Sequence, residues 1–113
     1  MALRFSNVIV RTPSESIVDG ISSADLGKPD FELALRQHAR YVSTLQSLGL
    51  NVVELPPLPD FPDSTFVEDV ALCTPKCGII TNPGALSRNA EKLEMESPLS
   101  HFYSDLEYIT EGT

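Results

Sequence analysis

"TFVEDVALCTPKCGIIT", residues 65–81, sets two apolar runs on either side of Thr74-Pro75-Lys76. "TFVEDVALC" reads as one strand and "CGIIT" as its partner, because β-branched and apolar residues dominate both. The Thr-Pro-Lys break between them has turn chemistry. The stretch is therefore expected to be a β-hairpin, and it decides how the neighbouring elements connect.

Upstream, "NVIVR" (7–11) and "NVVEL" (51–55) read as short strands, the second ended by Pro56 and Pro57. Between them, residues 12–29 are rich in Ser, Gly, Pro and Asp, and a loop that long is often functional. A helix is expected from about Pro29. Asp30 and Glu32 suit its N-terminal end, and Phe31, Leu35, His38, Val42 and Leu45 make one apolar stripe. His38 on that stripe reads as a packed, hydrogen-bonded core residue rather than a catalytic one. Gly49 is a natural stop. Downstream of the hairpin, a second helix is expected from Ser87 as N-cap, through Leu93 and fraying near Pro98. "LEYIT" (106–110) closes the series as a strand. The predicted order is β-α-β-β-β-α-β, one mixed α/β unit and most of another.

The 113 residues, 42% of them hydrophobic, suit one compact domain with a core. A net charge of −8 argues against nucleic acid or an anionic membrane as partner and leaves room for a cationic small molecule. No run of about 18 apolar residues predicts a membrane span. The start has no signal-like apolar run, so a cytoplasmic protein is expected. Cys73 and Cys77 lack the companion ligands of a zinc site. They are expected to face each other across the hairpin as buried thiols, a redox pair being the alternative. No cofactor and no metal is expected.

Three acids, Asp63, Glu68 and Asp69, lie in "PDSTFVED" (62–69), and no Lys or Arg occurs between Arg40 and Lys76. In a strand Glu68 and Asp69 would point to opposite faces, and Phe66, Val67, Val70, Ala71 and Leu72 suggest a strand buried on both. Unpaired buried acids are costly, so at least one should meet a cation or line a cleft. A distant Arg, a metal such as Mg²⁺ or Ca²⁺, or a guanidinium or amine ligand would serve; solvated loop acids are the plain alternative. In "NPGALSRNAE" (82–91), Arg88 stands in the first turn of the expected helix. It either pairs on the surface with Glu91 or Glu94 or holds a ligand carboxylate.

"RTPSESIVDGISSADLGKPDFELALRQHARYVSTLQSLG" and "LPPLPDFPDSTFVEDVALCTPKCGIITNPGALSRNAE" resemble the N-terminal part of a dimethylarginine dimethylaminohydrolase. That family lies in the guanidino-group-modifying, or pentein, superfamily with arginine deiminases and amidinotransferases. The resemblance spans about residues 4–113. It implies an α/β fold, a partial propeller holding about the first two of five ββαβ units, with mixed short sheets and two main helices. Residues 1–113 would be a single partial-propeller domain.

The resemblance further implies a Cys-dependent hydrolase that converts methylated arginine to citrulline and a methylamine. The family's nucleophilic Cys and its His have no counterpart here, and its acid follows a Gly-Thr pair such as Gly112-Thr113. The chain alone is thus expected to be inactive. Five positions match substrate contacts: Ile21 as a lid, Asp63, Glu68 and Asp69 around the guanidinium, and Arg88 at the α-carboxylate. A partial propeller leaves strand edges and apolar faces open, so a homo-oligomer, a dimer, is expected. The competing expectations are a non-catalytic oligomeric binding or assembly protein, or part of an arginine deiminase or amidinotransferase relative.

Overall fold

The computed structural model describes residues 4–23 and 25–113. Two compact units are distinguished, the first ending at Thr65 and the second running Phe66–Thr113.

In the first unit, β1 (Asn7–Arg11) lies parallel to β2 (Asn51–Leu55), with Asn7 opposite Asn51 and Arg11 opposite Leu55. Parallel neighbours need a crossover, and α1 (Phe31–Ser47) supplies it. The Asp30 carboxylate caps α1 by accepting from the Leu33 amide at 3.1 Å. The other end closes in a Schellman motif. Gly49, at φ +84°, donates its N–H to Gln46 O, and Leu50 donates to Leu45 O. The predicted stripe faces inward: Val42 is buried, and Phe31, Leu35, His38 and Leu45 are half-buried. His38 sits at the margin of that stripe rather than enclosed, its ring 6.4 Å from that of Tyr41.

The second unit has a three-stranded sheet of order β3-β4-β5. β3 (Ala71–Cys73) is antiparallel to β4 (Gly78–Ile80), and β5 (Leu106–Tyr108) is parallel to β4. The Thr74 hydroxyl accepts from the amides of Lys76 and Cys77, which folds the hairpin turn tightly. Between β4 and β5 the chain crosses back through α2 (Leu86–Asn89), a 3₁₀ turn (Ala90–Glu94) and α3 (Glu96–Ser100). Val70, Ile80, Met95 and Leu99 are the fully buried side chains here. The Tyr103 ring lies over Gly78, where a Cβ would come within 2.9 Å of it.

Four expectations are corrected. The first concerns the strand predicted at residue 65. It begins only at Ala71, and Val67–Asp69 form a 3₁₀ turn instead. A strand would have buried one of two adjacent acids; the turn leaves Glu68 and Asp69 both exposed. The flanking residues are not buried on both faces either, since Phe66 and Leu72 are exposed.

The second helical region is split and starts earlier than Ser87. Its N-cap is Ala85, whose carbonyl accepts from the amides of Arg88 and Asn89. Pro98 does not fray it but lies in the first turn of α3, where its missing N–H is not needed. The cysteines are not a facing buried pair. Register sets Gly78 opposite Cys73, Cys73 is exposed and Cys77 half-buried, and both thiols are free. Finally, Arg88 is not a surface residue, with 11% of its side chain exposed.

Candidate functional site

In the first unit the site is built around Asp63. The proline-rich segment after β2 bends at Phe61–Ser64, where the Ser64 amide donates to Phe61 O at 3.0 Å. That bend turns the Asp63 carboxylate inward, to 7% exposure. Both of its oxygens accept from the backbone N–H of Ile21, at 3.2 and 3.0 Å. The 12–29 loop is thereby tied to the 56–65 segment. The segment is also tied to β1. Thr65 Oγ1 donates to Arg11 O at 2.8 Å, and the buried Arg11 guanidinium donates to Pro56 O at 2.8 Å. Ser64, 2% exposed, has a hydroxyl with no hydrogen-bond partner.

In the second unit Arg88 is the centre. Its Nε and Nη2 donate to the two carboxylate oxygens of Glu91 at 3.0 and 2.9 Å, a bidentate pair. Nη1 donates to Asp69 at 2.6 Å, and Nη2 also donates to Phe66 O at 3.1 Å. Glu91 is 3% exposed, whereas the Asp69 side chain is 54% exposed. The bond from Glu91 drives the Arg88 pKa up, burial opposes it, and Asp69 raises it further. The guanidinium is permanently charged. It gives a buried acid and an exposed acid a shared cation.

Of the predicted positions, the structure brings Ile21 to Asp63 and Asp69 to Arg88. Glu68 is exposed on the same turn as Asp69. The missing cation for Asp69 is thus Arg88, nineteen residues on. Pairing of Arg88 with Glu91, weighed as a surface contact, is real but buried. Ser64 and Arg11 were not foreseen, since nothing in their local spelling marks them. Asn82 was missed as well. Its Nδ2 donates to Gly112 O at 2.7 Å, and its Oδ1 accepts from Asn89 and Lys92, so it ties the residues after β5 to the turn before α2. Among the described residues no group of three His, Cys, Asp or Glu converges to hold a metal, and no helix is long and apolar enough to cross a membrane. An open groove of about 530 Å³, lined by Pro13, Glu15, Asp19, Phe31, Pro57 and Pro59 among others, contains none of the predicted positions.

No family model matches the chain. Curated proteins do. The chain is 50% identical over 99 residues to N(G),N(G)-dimethylarginine dimethylaminohydrolase of Pseudomonas aeruginosa, covering 88% of this chain and 39% of that protein. It is 35% identical over 104 residues to the protein of the same name from Streptomyces coelicolor, covering 91% and 40%. The chain therefore spans about two fifths of the length of these relatives. Among solved structures, a cysteine-to-serine variant of the Pseudomonas aeruginosa protein complexed with citrulline matches with a TM-score of 0.94 and 46% identity, over 96% of this chain and 43% of that one. A histidine-to-glycine variant of dimethylarginine dimethylaminohydrolase, an adduct with S-methyl-L-thiocitrulline, matches at 0.95 and 47%, over 97% and 44%. Unliganded AgrE, 14% identical with a TM-score of 0.78, over 91% of this chain and 16% of that one, shares the fold. The chain is similar to the N-terminal part of dimethylarginine dimethylaminohydrolases, and its mixed α/β fold of short sheets is like theirs.

Proposed function

We propose that this chain is the substrate-gripping portion of a methylarginine hydrolase, the reaction being conversion of a methylated arginine to citrulline and a methylamine. Its ligand is a guanidino amino acid. The observation that supports this most is the likeness to the citrulline complex, at 46% identity over 96% of the chain. Citrulline is the product such a hydrolysis would leave.

The roles follow from charge and exposure. Asp69, held by Arg88 yet more than half exposed, presents a carboxylate edge to a planar guanidinium. Glu68, on the same turn, adds negative charge for that group, and in the first unit Asp63 is proposed as a carboxylate for a guanidinium. Arg88 meets the ligand's α-carboxylate. Ile21, exposed on the loop tied to Asp63, covers the ligand and excludes water. In this reading residues 1–113 form one partial propeller domain. They lack the nucleophile and base of the reaction, and alone they bind without cutting. Two free thiols suit a reducing compartment, and the cytoplasm is the compartment proposed.

Calorimetry with dimethylarginine tests the binding. Saturable heat that is lost in Asp69→Ala is expected; heat unchanged by that substitution overturns the assignment. A citrulline assay on the same 113 residues should stay at background, and turnover would sink the proposed division between grip and chemistry.

One observation favours a second reading, a non-catalytic assembly protein. Phe66, Leu72, Leu86, Leu93 and Tyr108 of the second unit are all exposed, and β3 and β5 are edge strands. Such surface favours self-association, and a homodimer is proposed under either reading. Sedimentation at several concentrations should give twice the chain mass; a monomer throughout refutes the dimer.

A further inference from the structure

Gly20 has an ordinary backbone, with φ −64° and ψ 162°, which any residue adopts. Its lack of a side chain is therefore not a backbone requirement. The reason lies in its surroundings. A Cβ built there would lie 2.5 Å from Asp63 Oδ1 and 3.2 Å from Ile17 O, closer to the carboxylate than any real contact. The next residue, Ile21, donates its N–H to both oxygens of that same carboxylate. Asp63 is itself 7% exposed and fixed by the Phe61–Ser64 bend. A buried carboxylate, a backbone donor aimed at it and a glycine that alone lets the two meet belong to one device.

We infer that Gly20 and Asp63 form a latch that holds the 12–29 loop down by the Ile21 amide, and that Gly20 is a positioning residue for the proposed site. A charged acceptor makes the amide bond stronger than a neutral one. A carboxylate offers about four lone-pair positions, and the Ile21 N–H occupies one on each oxygen. The latch accounts for why an exposed apolar residue, Ile21, stands at a defined place on a long loop. It deepens the proposed function but does not depend on it, because the loop and the carboxylate are bonded without ligand.

Residue-resolved amide exchange on the 113-residue chain tests the latch. In Asp63→Ala, Ile21 exchange should quicken about tenfold, the scale of one hydrogen bond. The Gly20 amide, bonded to Ile17 O at 3.1 Å, should keep its rate. Gly20→Ala should quicken Ile21 similarly while Asp63 is still present, and Leu26→Ala, at an exposed position of the same loop, should not. Unchanged Ile21 exchange in Asp63→Ala overturns the proposal. So does quickening spread equally over Gly20 and the β1 amides, which would make Asp63 a support of the whole unit. A failure of dimethylarginine to bind would sink the proposed ligand and leave these rates untouched.

Discussion

Arg88 shows how much one side chain can organise. Its N–H groups meet Glu91, Asp69 and Phe66 O. Arg88→Ala would leave the buried Glu91 carboxylate without its bidentate partner, and a stability loss of about 3 kcal/mol is expected in urea unfolding. Arg88→Lys should recover only part of it, because an ammonium cannot present the planar fork. Equal stability of the lysine variant and the parent would refute the bidentate account. Ser64 behaves in the opposite sense. Its hydroxyl is buried without a partner, so Ser64→Ala should raise stability by about 1 kcal/mol. A loss of that size would mean the hydroxyl has a bonding role. The Glu91 half of the Arg88 network lies three residues on and was open to a reading of the sequence, whereas its Asp69 half, nineteen positions back, and the burial of Ser64 are set by the fold.

At the scale of elements, α1 was legible because its information is local. Capping, stripe and stop all lie within residues 29–50, and the structure places the cap at Asp30 and the stop at Gly49. Asp30→Ala should cost about 1 kcal/mol in thermal unfolding; no change would show that packing of the stripe alone secures the helix. The hairpin strands were legible for the same reason, through a turn whose bonds span four residues. The 65–70 stretch was not. Its apolar letters fit a strand, but burying Glu68 or Asp69 was dearer than turning both outward.

Tyr103, packed over the hairpin at Gly78, gives this scale a pH signature. Its pKa is pushed above the usual tyrosine value, by burial first and then by the Cys73 thiol beside it. The folded state therefore holds this proton more tightly than the unfolded chain. Its contribution is intact below about pH 10 and is lost as pH rises through the folded value. Unfolding free energies should fall more from pH 9 to 11 in the parent than in Tyr103→Phe; parallel profiles would exclude the effect.

For the whole molecule, sixteen acidic side chains stand against eight Lys and Arg, a net charge of −8. Self-repulsion is screened by salt more readily than the buried Arg88–Glu91 pair. Raising ionic strength from about 0.01 M to 0.15 M, over which the screening length shortens severalfold, should raise the unfolding midpoint. A lower midpoint would show that specific ion pairs outweigh net repulsion.

By itself the sequence determined the order of elements, the apolar face of α1, the hairpin and the likeness to methylarginine hydrolases. Each of these rests on residues close together along the chain or on a pattern of letters. Only the tertiary structure decided that Asp69 finds its cation in Arg88, that Asp63 holds the Ile21 amide and that Gly20 must stay small beside it. Those pairings join residues nineteen to forty-three positions apart. At such separations the folded backbone sets the distances, and a carboxylate acts through distance.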